Sequence, residues 1–152
     1  MNRFAFPCTT YYRFVYHVLD GRLYAGKRQD WMVHMIGHSV GAWTHAAHGF
    51  CLAAVSMAYY KRAMKNGLDK FVRYARNVWG ISGEGMTDEQ IAEAGLEALK
   101  GWMVEIGLPL KISEIGATVE MIPGITQGTI CYPAGYMDLK PEDVTEILKE
   151  SM

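Results

Sequence analysis

Histidines are the residues of this chain best suited to chemistry. Four of the five fall between His34 and His48, within fifteen positions, and His17 stands alone. Neutral imidazole binds divalent metals, and its protonation equilibrium lies close to physiological pH. His34-Met35-Ile36-Gly37-His38 sets two imidazoles four residues apart, which puts both on one face of a helix. A zinc-protease helix needs a glutamate directly after the first histidine, and Met35 stands there instead, so that chemistry is excluded. Adding His48 gives His-x3-His-x9-His. Along a straight helix these fourteen residues rise about 21 Å, at about 1.5 Å each. Two ring nitrogens sharing one ion must each lie about 2 Å from it. Two readings therefore stay open. Either the chain reverses between the histidines, with Gly41 and Thr44 as the places for a turn, or the histidines are the polar edges of two amphipathic helices and share nothing.

Helical periodicity runs through the segments that must position these residues. Thr10 to Tyr24 carries apolar residues around much of a helix closed by Gly26, and a second helix runs from about Gln29 towards Val40. The third spans about His48 to Lys65 and stops at Asn66-Gly67. Phe71, Val72, Ala75, Val78 and Trp79 form the apolar stripe of the next helix. Thr87 and Gln90 have capping-box spacing, and the helix they open carries Ile91, Ala94, Ala98, Leu99, Trp102, Met103 and Ile106. Gly107 and Pro109 end it. Glycines and prolines break Leu110 to Tyr136 into short helices and loops. Pro141 opens the last helix, with Val144, Ile147 and Leu148 facing inward. No alternating strand pattern, repeat or low-complexity linker occurs. The expected fold is all-α, a bundle of about six to eight helices in one domain over residues 1–152.

Composition is that of a globular protein, with 50% apolar and 20% charged residues and a net charge of −1. No bulk field attracts nucleic acid or an anionic membrane. The apolar run from Gly49 to Tyr60 is too short to span a bilayer and reads as a buried helix. A single N-terminal arginine and no small-residue cleavage site argue against a signal peptide. Cys8, Cys51 and Cys131 are odd in number and form no CxxC pair, which points to a reducing cytoplasm rather than a disulfide framework.

Asp30-Trp31-Met32-Val33-His34-Met35-Ile36-Gly37-His38, followed by His48-Gly49, resembles the metal motif of iron-containing (group III) alcohol dehydrogenases. The likeness is greatest to the butanol-dehydrogenase-like branch, in which an Asp-Trp pair precedes the first histidine. It continues through Ala53-Ala54-Val55, Phe71 to Ile81, Ile106-Gly107-Leu108-Pro109 and Leu139 to Val144. The resemblance implies a C-terminal helical domain holding one divalent ion, iron or zinc, beside an N-terminal α/β domain that binds NAD or NADP. It implies His34 and His48 as metal ligands and His38 as the residue that relays the alcohol proton. The substrate of such a whole enzyme is a small alcohol or aldehyde, and the ion serves as a Lewis acid.

The chain also departs from that pattern. The family's other two ligands, an aspartate and a histidine spaced Asp-x3-His on an earlier helix, have no counterpart ahead of His34. Asp30 and His34 have that spacing, yet Asp30 occupies the Asp-Trp position and is expected to make a helix-start or interhelical contact. His45 has no counterpart and reads as a solvated loop residue. Cys51, one turn after His48, reads as core. The nucleotide-binding domain is expected to be absent, since Gly80 to Gly85 follows a helix rather than a strand. The leading expectation is the metal-binding domain of an NAD(P)-dependent oxidoreductase, inactive alone and prone to associate with itself or with a nucleotide-binding domain. The alternative is a non-catalytic remnant or interaction domain that keeps part of the metal site. A metal-storage bundle would want Glu-x-x-His pairs, which are missing.

Overall fold

A computed structural model describes residues 29–133 and 135–152. The helix expected from Thr10 to Tyr24, together with Cys8 and His17, lies outside the described residues. Among those described there are six α-helices, three short 3-10 turns and no strand. The α-helices are α1 (Met32–Thr44), α2 (His48–Ala63), α3 (Leu68–Trp79), α4 (Asp88–Glu105), α5 (Ile122–Gly128) and α6 (Pro141–Glu150).

The helix ends follow local chemistry. Asp30 Oδ1 accepts the Met32 N–H at 3.0 Å and so starts α1. Residue α1 ends on is Thr44, whose hydroxyl bonds back to the Val40 carbonyl at 2.9 Å. His45 then takes a left-handed conformation, φ 56°, and its N–H returns to the Gly41 carbonyl. In α4 the expected capping box forms: the Thr87 hydroxyl accepts from the Gln90 N–H, and the Gln90 side chain accepts from the Thr87 N–H. Pro141 occupies the first turn of α6, as its missing N–H allows.

The core lies where α1, α2, α5 and α6 meet. Met32, Ile36, Val40, Val55, Tyr59, Ile125, Val144, Ile147 and Leu148 are all fully buried there. At Gly37 a Cβ would sit 2.6 Å from Leu52 Cδ2, so the glycine lets α2 cross α1 closely. Gly41, expected as a turn, instead stays helical beside the Cys51 sulfur. The Ser39 hydroxyl donates to the Ile125 carbonyl at 2.6 Å inside the core and ties α5 to α1. A second hairpin, α3 with α4, closes on Ala75 and Gly95, where a Cβ on the glycine would lie 2.6 Å from Ala75 Cβ.

Two expected stripes are cut short. Val78 in α3 and Trp102 and Ile106 at the end of α4 are exposed, while Ala92, Gly95 and Leu96 are buried. Met103 in the last turn of α4 stays buried, so the stripe narrows there, with Trp102 and Ile106 on its uncovered edge.

Candidate metal centre

The turn formed by His45, Ala46 and Ala47 reverses the chain between α1 and α2, as the first of the two readings of the spacing requires. His34 and His38 stand one turn apart on α1, and His48 is the first residue of α2. The ring centroids of His34 and His48 are 5.3 Å apart, those of His38 and His48 5.0 Å, and those of His34 and His38 6.0 Å. Two imidazoles holding one ion about 2.0–2.1 Å from each nitrogen have their centroids roughly 5 Å apart. The spacing fits a pair of donors that includes His48, and it suits His34 and His38 about equally as the other member. Among the described residues no group of three or more His, Cys, Asp or Glu side chains is arranged to hold an ion. The cluster supplies ring pairs rather than a closed cage.

The three rings differ in setting. His38 and His48 are exposed, whereas His34 is half-buried with the edge of the Trp31 ring at 5.4 Å. Burial, followed by the charges that His48 and His38 would carry, pushes the His34 imidazole below its ordinary pKa. A ring held neutral keeps a lone pair free to bind a metal.

The neighbouring residues have other work. His45 is exposed on the turn, as expected of a loop residue. Cys51 is buried, its sulfur 3.6 Å from the Ala46 carbonyl, and burial pushes the thiol up. A thiol so disposed is core, not a reactive group. Asp30 is fully engaged: besides the Met32 N–H, its Oδ2 accepts the Tyr59 hydroxyl at 2.5 Å and the Tyr136 N–H at 3.0 Å. Burial first, then the bond to Asp30, drives the Tyr59 hydroxyl far above its usual pKa. Trp31 donates its indole N–H to Gln29 Oε1 at 2.7 Å. A cavity of about 510 Å³ opens beside His34, lined among others by Asp30, Trp31, Tyr59, Tyr60 and Tyr136. Sequence reading missed Tyr59 and Tyr136 as partners of Asp30, and no local signal joins residues 29 and 106 positions apart.

Comparison with known proteins gives this geometry its context. Residues 18–152 match the family described as Fe-containing alcohol dehydrogenase family, C-terminal. The NADPH-dependent aldehyde reductase YqhD of Escherichia coli (strain K12) is 34% identical over 107 residues, 70% of this chain and 27% of that protein. The NADH-dependent butanol dehydrogenase B of Clostridium acetobutylicum is 28% identical over 134 residues, 86% of this chain and 34% of that protein. The crystal structure of NADH-dependent butanol dehydrogenase A from Thermotoga maritima matches with a TM-score of 0.79 and 31% identity, over 89% of this chain and 36% of that one. The chain spans about a third of the length of these relatives. It belongs to the iron-containing alcohol dehydrogenase family and corresponds to that family's helical C-terminal region.

Proposed function

We propose that this chain is the metal-carrying helical region of an NAD(P)-dependent alcohol dehydrogenase. In this reading His34 and His48 are two ligands of one divalent ion, iron or zinc, and His38 carries the proton beside it. The observation that supports it is the 5.3 Å separation of the His34 and His48 rings across the turn between α1 and α2. Bound there, the ion would supply Lewis-acid assistance to an alcohol or aldehyde oxygen. The protein's own part is to present His34 as a neutral donor and to hold His48 at the first turn of α2. His38, exposed one turn after His34, is open to solvent and can exchange a proton with it.

Hydride transfer needs a nicotinamide held about 3–3.5 Å from the substrate carbon. We assign NAD or NADP binding to a nucleotide-binding domain outside these 152 residues. The exposed rings of Trp43 and Phe50 flank the histidine turn and belong to the face that such a domain, or a second copy of this chain, would cover. The purified chain with iron or zinc should then give no alcohol-dependent reduction of NAD or NADP. Sedimentation of the same preparation should detect species heavier than the monomer. Turnover above a metal-only blank, abolished by His38→Ala, would overturn the claim that the chain is inactive alone.

One observation favours a second reading, a non-catalytic remnant or interaction domain: the described residues offer no complete donor set. Failure of His34→Ala and His48→Ala to alter metal uptake would decide for it.

A further inference from the structure

We propose that Asp30 is a positioning residue for the histidine pair, acting through Tyr59 as a latch on the angle between α1 and α2. This rests on the reading of His34 and His48 as a donor pair.

The geometry is that of a lever. At Gly37 the missing Cβ lets the Leu52 side chain pack against the α1 backbone, and this close approach serves as the pivot. Asp30 lies seven residues before Gly37 and Tyr59 seven after Leu52, so each stands two turns, about 10 Å, from the pivot. His34 and His48 lie about one turn from it. A rotation of α2 about Gly37 would thus change the separation of the rings, and the bond joining the far arms opposes that rotation. The bond is the 2.5 Å contact from the Tyr59 hydroxyl to Asp30 Oδ2.

The latch is itself well anchored. Tyr59 is 1% exposed, so little water competes for its hydroxyl. Asp30 is held from two further sides by the Met32 and Tyr136 N–H groups. Gly135, at φ 99°, lies so close that a Cβ there would come 2.5 Å from Asp30 Oδ2. The carboxylate is therefore tied to the start of α1 by the Met32 N–H and to the segment before α6 by the Tyr136 N–H, and the tyrosine hydroxyl is its hydrogen bond to α2 among the described residues. Groups that orient ligands without touching the metal commonly alter metal affinity about 10–100-fold.

The test compares the whole chain with Tyr59→Phe, which removes one oxygen and leaves the ring's packing, and with Asp30→Asn. Co²⁺ is the probe, read by its visible spectrum and by titration. Tyr59→Phe should weaken Co²⁺ binding about tenfold and shift the spectrum. In the metal-free chain it should also move a readout that does not depend on the ion, the imidazole ¹H–¹⁵N correlations of His34 and His48, while those of exposed His45 stay in place. Asp30→Asn should move the same signals. A lowered melting temperature with unchanged imidazole signals and unchanged Co²⁺ affinity would reduce Asp30 to a structural contact and overturn the proposal. If the wild-type chain binds no Co²⁺ through His34 and His48, the donor-pair reading fails. The metal-free imidazole signals then decide the latch alone: displacement in Tyr59→Phe supports it, and no displacement overturns it.

Discussion

The hairpins α1–α2 and α3–α4 are built by the same device and serve different ends. Each closes on a glycine that lets the facing helix approach: Gly37 under Leu52 in the first, Gly95 under Ala75 in the second. In α3–α4 the glycine faces another helix's Cβ and Cα, and α4 begins with a complete capping box. In α1–α2 it faces the flexible end of a leucine, and α2 is preceded at its N-cap by Ala47, whose side chain caps nothing. The second hairpin carries no histidine, while the first has His34, His38 and His48 at its edge. The tighter backbone contact lies in one pair and the candidate chemistry in the other, where the glycine faces a side chain that can adjust.

That contrast can be broken most directly at the two glycines. Gly95→Ala puts a Cβ 2.6 Å from Ala75 Cβ and 3.0 Å from its Cα, so a helix must move. Overpacking of this kind costs about 1–3 kcal/mol. Gly37→Ala meets only Leu52 Cδ2, which can rotate, and alanine gains about 0.5–1 kcal/mol of helix preference. Its net cost should be about 1 kcal/mol or less. Urea unfolding of both variants checks the ranking, and an equal loss in both would erase the distinction.

The caps sharpen it. Thr87→Ala should cost about 1 kcal/mol by removing the acceptor for the Gln90 N–H. Ala47→Ser should instead stabilise by about 0.5–1 kcal/mol, because Ala47 already has an extended conformation (φ −57°, ψ 136°) and only lacks an oxygen. Thermal melts that show no gain for Ala47→Ser would mean the start of α2 is satisfied in another way.

The smallest effect is a pH dependence confined to the histidine hairpin. His34 has a folded-state pKa below its ordinary 6.5, chiefly through burial. The unfolded chain therefore takes up a proton first as pH falls. This contribution to stability is intact above pH 6.5 and is lost as pH drops from there through the lowered folded value. The urea midpoint should decline over that range in the wild type and decline less in His34→Gln.

Much of this was legible in the sequence because it rests on local chemistry. Thr87 with Gln90, Pro141 and Asn66-Gly67 mark helix ends through bonds made within a few residues, and the structure has those ends. Length alone leaves two readings open between His38 and His48, a reversal or histidines that share nothing, and the family resemblance favours the reversal that the structure has. Its position was legible in part. Of the two places expected, Gly41 stays inside α1, whereas Thr44 is its last residue and His45 directly after it takes the left-handed turn at φ 56°. Which residues of the α4 stripe are buried, Met103 but neither Trp102 nor Ile106, also depends on packing against segments distant in sequence. Asp30 makes both contacts expected of it, the helix start through the Met32 N–H and an interhelical bond from the Tyr59 hydroxyl, but that Tyr59 and Tyr136 would be its partners depends on segments far along the chain. Contacts between segments distant in sequence carry no short-range signal.

Zinc titration of the purified chain, followed calorimetrically at neutral pH, tests the central claim most directly. The account predicts weak binding to one site, since two imidazoles leave the remaining positions to water. Binding should disappear in His34→Ala and in His48→Ala and persist in His45→Ala. Equal binding in wild type, His34→Ala and His48→Ala would contradict it, and the rings gathered at the turn would then be no more than neighbours.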